Sequence, residues 1–233
     1  SFGEQSKKDN KNIYLPDIKA LDNPQDYKVY RAKADSEALR LRYSNIDIFN
    51  SYKPKGENAK KLYESGVIGT LRSVDSVFSY NNAADPCNIR NRPETGGGSL
   101  RDIGVYTFGS ARFITGEEPT EILSADITWE NRVDVWAHVR ANFPSFRFSS
   151  TTSMRLAPRQ EVTFHGEEGF IQLTTPFNTQ VFSQAEVALW RNDMIVETKR
   201  FPSDNHYVLQ FENFQNSVFN GTPYLCSLEF SQG

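Results

Sequence analysis

Glu94-Thr-Gly-Gly-Gly-Ser-Leu-Arg-Asp-Ile-Gly-Val-Tyr106 is the stretch on which the reading of this chain turns. Three consecutive glycines, Gly96 to Gly98, permit backbone conformations and close approaches that other residues do not. Ser99 is a helix-capping residue type, and the apolar spacing after it predicts a helix over Ser99–Thr115, closed by Gly116 and Pro119. Asp102 and Tyr106 are four residues apart, a spacing that sets a carboxylate and a phenol on one helix face near its start. From spacing alone, Asp102 is a first-turn acid favoured by the helix dipole. Tyr106, in the same terms, is one more core aromatic beside Ile103, Phe108 and Phe113.

Working outward, Asn81–Thr95 is rich in Asn, Asp, Pro and Arg and reads as a long loop, which inside a compact domain is a sign of function or disorder. Arg90 and Arg92 within it read either as solvated loop side chains or as contacts to a substrate or phosphate. Upstream, Tyr52–Ser65 reads as a helix with Ala59, Leu62 and Tyr63 on its apolar side. Val74, Ser76, Phe78 and Tyr80 then alternate as in a half-buried strand. Downstream come strand-like runs at Glu121–Trp129, Val133–Asn142, Ser145–Met154, Glu161–His165, Phe170–Thr174, Glu186–Arg191 and Met194–Phe201. Tyr207, Phe211, Phe214 and Val218 mark a last amphipathic helix. The expected fold is α+β: a largely antiparallel open sheet with helices on one face. Ile13–Asn45 reads as helix, strand, helix without partner strands and does not belong to that sheet. The expected division is residues 1–49 and residues 50–233.

Composition narrows the function classes. The 233 residues are 38% hydrophobic and 13% aromatic, enough for a sizeable core. A net charge of −3 without a Lys/Arg block gives no reason to expect nucleic acid. No apolar run reaches membrane-spanning length. The polar start Ser1–Asn12 is no signal peptide, so a cytoplasmic protein is expected; a periplasmic chain with its leader removed would read the same way. Cys87 and Cys226 read as two reduced thiols. His138, His165 and His206 lack metal-ligand spacing, so no metal is expected. Gly96–Gly98 mimic a phosphate cradle, but a Pro-rich loop precedes them rather than a strand, and close helix packing is the better reading. Trp129, Val133, Val135, Trp136, Val187 and Leu189 read as more apolar sheet positions than one helix layer covers, which predicts a homodimer or tetramer formed through the sheet.

The glycine helix resembles a signature of the glucose-fructose oxidoreductase, inositol dehydrogenase and dihydrodiol dehydrogenase family, Gly-Gly-Gly-x-Leu-x-Asp-x-x-x-(His or Tyr). Further segments match in order: Lys60–Gly69, the loop Asp85–Glu94, Gly166–Ile171 and Tyr207–Pro223. The resemblance implies a two-domain oxidoreductase using NAD or NADP, in which residues 50–233 form the substrate-binding and oligomerisation domain. Residues 1–49 are then remnants of the Rossmann domain. It implies that Asp102 and Tyr106 are catalytic, with Tyr106 moving the hydroxyl proton, and that Asn88, Arg90 and Arg92 touch the substrate. A tyrosine at the last motif position tilts the substrate toward a secondary alcohol of a sugar, polyol or diol. The other reading is a non-catalytic relative, in which the dinucleotide or sugar regulates binding to a protein partner. The dinucleotide turn Gly-x-Gly-x-x-Gly and the family's Glu-Lys-Pro lysine do not occur in these residues, so cofactor-binding residues are unassigned. The expectation is that more of the nucleotide-binding domain belongs to the polypeptide, giving an intact mass well above 26.5 kDa.

Overall fold

The computed structural model describes residues 54–178, 185–201, 206–223 and 230. The helix, strand and helix expected over Ile13–Asn45, and the Rossmann remnant with them, lie outside the described residues, as does Cys226. The described chain opens with a helix over 54–64, α1. Strand β1 (Leu71–Asn81) follows, then the loop, which holds two short 3-10 turns at Ile89–Asn91 and Pro93–Thr95. A π-helical turn, Leu100–Gly104, runs into helix α2 (Val105–Thr115). Seven strands come next: β2 (Glu121–Glu130), β3 (Val133–Asn142), β4 (Arg147–Ser153), β5 (Arg155–Gly166), β6 (Phe170–Thr174), β7 (Ala185–Arg191) and β8 (Met194–Phe201). Helix α3 spans His206–Asn220.

The strands form one open eight-stranded sheet in the order β2-β3-β4-β1-β5-β6-β7-β8. The pair β1–β4 is parallel, and the other neighbouring pairs are antiparallel. A parallel neighbour needs a long crossover. The loop, α2 and the β2–β3 hairpin supply it. Met154 alone separates β4 from β5, and it carries the chain over the end of β1, its N–H on the Val135 carbonyl at 2.8 Å. Strand β5 begins earlier than the expected Glu161, at Arg155, despite Pro158. Pairing with β6 starts only at Glu161, so Pro158 sits where β5 has no β6 neighbour to bond.

Strand alternation decides the two faces. In β3, Val133, Val135, Ala137, Val139 and Ala141 are buried, whereas Trp136 and His138 between them are half-buried and Arg140 is exposed. The buried face continues through Phe148, Val74, Phe78, Val162, Phe164, Ile171 and Leu173, and Ala59 of α1 and Ala111 and Ile114 of α2 join the same core. Helices α1 and α2 therefore cover one side of the sheet. Registry places Trp136 of β3 and the stacked pair Phe170–Trp190 on the opposite, open side, among Ser149, Thr151, Ser73 and Asp75. The expected surplus of apolar positions is corrected here. Val187 and Leu189 belong to the main core, and Val133 and Val135 pack with Met154 in a smaller cluster. Among the named positions, Trp129 is exposed and Trp136 partly so. Helix α3 is amphipathic as its spacing predicts, with Phe211, Phe214 and Phe219 exposed.

Phe164 is fully buried near the C-terminal end of β5, between β1 and β6. Phe164→Ala is expected to destabilise the protein by about 3–5 kcal/mol through lost burial and the cavity left behind, measured by urea unfolding.

Candidate active site

The glycine run packs the loop against the start of the helix. Gly96 closes the second 3-10 turn in a left-handed conformation. The Gly97 N–H donates to the Arg92 carbonyl at 2.9 Å, and the Gly98 N–H to the Arg90 carbonyl at 3.0 Å. A Cβ on Gly97 would collide with the Arg90 carbonyl, and one on Gly98, at φ +130°, with the Asp134 carboxylate. These amides are spent on the loop's own carbonyls, so the run is a packing device and not a phosphate cradle.

Ser99 does not cap the helix through its side chain, contrary to the sequence expectation, because it already has helical angles. The cap comes from β3. Asp134, 5% exposed, accepts the Leu100 N–H at 2.7 Å and the Ser99 hydroxyl at 2.8 Å. Ser99 in turn lies 3.0 Å from the Thr152 hydroxyl. A carboxylate at a helix N-terminus is favoured by the unpaired amides there.

Asp102 sits in the π-helical turn, a distortion that recurs at functional sites. Its Oδ2 accepts two hydrogen bonds, from the Tyr80 hydroxyl at 2.7 Å and from Arg90 Nε at 2.8 Å. The Asp102 side chain is 14% exposed and that of Arg90 41%. Burial alone would lower the pKa of the guanidinium. The adjacent Asp102 carboxylate, with the Tyr80 and Tyr106 oxygens, outweighs burial and holds it above its ordinary value. The Tyr106 ring is half-buried and meets Phe78 edge-on at 5.3 Å and Phe177 at 5.2 Å, while Phe78 and Phe177 stack on each other. The phenol is thus set in an aromatic box next to the Arg90–Asp102 pair.

The other loop residues fall elsewhere. Arg92 pairs with Glu94 at 2.6 Å in an exposed position. Asn88 shapes the first 3-10 turn, its Oδ1 accepting the Arg90 N–H at 3.1 Å and its Nδ2 donating to Asp85. Arg155 anchors the loop by donating to Asn82 at 2.9 Å and Asn91 at 3.2 Å while pairing with Glu130. The structure brings Arg90, Asp102 and the Tyr106 ring into one cluster, and leaves Arg92 outside it and Asn88 in the loop scaffold. Tyr80, Asp134 and Arg155 were not legible as site residues. Tyr80 had one sequence cue, its place as the last inward residue of a strand that runs into the loop. Cys87 is exposed and its thiol is free. His138 hydrogen-bonds Thr151 on the open face at 3.0 Å. Among the described residues, no helix is long and apolar enough to cross a membrane.

Comparison with known proteins bears on this geometry. The sequence profile of the GFO/IDH/MocA C-terminal domain matches residues 57–172. The chain belongs to the GFO/IDH/MocA family. A second profile, cobalamin biosynthesis protein CobT, matches residues 1–66, mostly outside the described residues. An uncharacterised oxidoreductase of Rhizobium meliloti is 30% identical over 186 residues, covering 77% of this chain and 55% of the relative. A dTDP-3,4-didehydro-2,6-dideoxy-alpha-D-glucose 3-reductase of Streptomyces antibioticus is 28% identical over 69% of this chain and 49% of its own length. The chain thus spans about half the length of the curated relatives it matches. A 3-ketoreductase from Actinomadura kijaniata, solved with NADP and TDP-benzene, superposes with a TM-score of 0.69 at 23% identity over 79% of this chain and 57% of that one. The expected family and the open-sheet fold are both borne out.

Gly98 and Gly116 separate steric contact from backbone strain. Both have positive φ, but nothing lies within 4 Å of a Cβ placed on Gly116. Gly116→Ala is expected to cost about 1 kcal/mol, from the left-handed conformation alone. Gly98→Ala adds the collision with Asp134 and is expected to cost on the order of 3 kcal/mol or more. Denaturant midpoints of the two variants give the comparison.

Proposed function

We propose that this chain carries the substrate-binding half of a nicotinamide-dependent oxidoreductase acting on a secondary alcohol, or the matching ketone, of a sugar, polyol or diol. The observation that supports it best is the cluster itself: a phenol in an aromatic box beside a carboxylate whose orientation two donors fix. Such a pair suits the hydroxyl end of the substrate. In this reading Asp102 accepts a hydrogen bond from a substrate hydroxyl, and Tyr106 Oη takes the proton of the alcohol being oxidised or returns it in reduction. Phe78 and Phe177 pack against the Tyr106 ring in edge contacts and hold it in place.

The cofactor, when bound, supplies or accepts the hydride. The described residues fit the substrate side of that chemistry and provide no dinucleotide cradle, because the Gly97 and Gly98 amides are committed to the loop. Binding of the cofactor falls to other residues of the polypeptide, consistent with proposing residues 1–49 as part of a nucleotide-binding domain. NADP is favoured over NAD by a relative, the D-xylose 1-dehydrogenase (NADP(+)) 2 of Haloferax volcanii, 26% identical over 73% of this chain. A free phenol is a weak base near neutral pH, so proton transfer by Tyr106 also calls for a cation, which the family supplies as lysine. Arg90 has a prior task on Asp102. Of the three loop residues, Arg90 is the one we keep as a substrate-facing candidate. Self-association remains part of the proposal, with Trp136 and the Phe170–Trp190 pair on the open face as its apolar contacts.

Tyr106→Phe keeps the ring in its box and removes only the hydroxyl. In the intact protein, turnover of NADP(H) with D-xylose, D-glucose, an inositol or a vicinal diol is expected to fall on the order of 10²-fold, with the fold and cofactor affinity retained. Equal turnover by parent and variant would remove Tyr106 from the chemistry. A parent that turns over none of these probes would overturn the reading.

A further inference from the structure

We propose that Tyr80 is a positioning residue whose hydroxyl, together with Arg90, fixes the orientation of the Asp102 carboxylate; this rests on the reading of Asp102 as the group that meets the substrate. The Tyr80 hydroxyl donates to Oδ2 at 2.7 Å, and Arg90 Nε reaches the same oxygen at 2.8 Å. One donor comes from a sheet strand and the other from the loop, so rotation of the carboxylate about its Cβ–Cγ bond breaks both bonds. Arg90 has two-fifths of its side chain exposed on a long loop. Tyr80 is the rigid member. It is the last inward residue of β1, its ring meets Phe78 edge-on at 6.5 Å, and it packs against the buried cluster of Val133, Val135 and Met154.

Phe78 and Tyr80 divide the work along the strand. Two strand residues advance by about 7 Å, close to the rise of about 6 Å over four helical residues. Phe78 therefore meets Tyr106 while Tyr80 meets Asp102, and one strand holds both members of the pair. Phenylalanine at position 80 would fill the same packing space, so the hydroxyl answers to Asp102 and not to the core.

The test is a double-mutant cycle in the intact protein between Tyr80→Phe and Asp102→Ala. With NADP+ and D-xylose as probes, Tyr80→Phe is expected to lower kcat about tenfold and to change KM by no more than about twofold, because orientation is lost and not affinity. In the Asp102→Ala background the same substitution is expected to do nothing further. Equal losses in both backgrounds, or an unchanged kcat in the single variant, would overturn the proposal. Absence of turnover in the parent counts against the proposed function instead, and the urea-unfolding cycle on the same four proteins then decides. Non-additive stabilities support Tyr80 acting through Asp102, and additive ones overturn it. Matching near-ultraviolet circular dichroism of Tyr80→Phe and parent checks that packing has survived.

Discussion

Asp134 brings a charge from the start of β3 to the first amide of the helix that carries the candidate site, and the geometry of that site descends from this contact. Its carboxylate is buried, which would be costly were it not met by the Leu100 N–H, the Ser99 hydroxyl and the field of the helix start. Hydrogen bonds to a charged acceptor contribute about 1.5–3 kcal/mol each, so two of them fix where the helix begins. The same carboxylate lies against Gly98 so closely that no side chain fits there. Gly98 and Gly97 then tie the loop through the carbonyls of Arg90 and Arg92. The Arg90 backbone is held beneath the helix start, and its side chain reaches Asp102 from there. Sheet, helix and loop are linked through one buried acid.

What the sequence made legible follows from what is local. The period-two run at Val74–Tyr80, the helix after the glycines and the seven later strands are local patterns, and the structure has them with small shifts at the ends, except β5, which starts well before the expected Glu161, at Arg155. The chirality and order of the sheet are not local. The crossover that puts β4 parallel to β1 runs through the loop, α2 and the β2–β3 hairpin; Met154 then takes the chain past the end of β1 into β5, and nothing in the residues around it announces that step. The faces were also misjudged in part. Val133, Val135, Val187 and Leu189 were counted as surplus apolar positions, yet all four are covered within the chain. Alternation tells which residues share a face, but not how many layers lie over it.

The site divides along the same line. Asp102 and Tyr106 were found by their spacing and by family resemblance, since both lie within one short segment. Arg90 was one of three equal loop candidates, and only the folded loop separates it from Arg92, which turns to Glu94, and from Asn88, which turns inward on the loop backbone. Tyr80 and Asp134 are 22 and 35 residues from the groups they bond, Asp102 and Ser99. A tyrosine on a half-buried strand and an aspartate on another are ordinary until the partner is known. Ser99 shows the opposite error: its residue type fits a cap, but Asp134 already occupies the place and leaves Ser99 to hold it.

The charge arrangement also bears on what the proposed site admits. The Arg90 guanidinium and the Asp102 carboxylate offset each other, so the pair as a whole is close to neutral while Oδ2 of the carboxylate is tied down by Tyr80 and Arg90. A carboxylate in that state accepts hydrogen bonds and donates none. A substrate hydroxyl meets it favourably, whereas a substrate carboxylate or phosphate placed there would stand against a like charge in a partly desolvated setting, where repulsion is screened less than in water. An anionic group elsewhere on a larger substrate escapes that penalty, for the side chains of Arg90 and Arg92 in the loop are both partly exposed. Under the proposed function, the arrangement would favour a neutral, hydroxyl-bearing group beside Asp102 and leave charge, where a substrate carries it, to lie toward the loop.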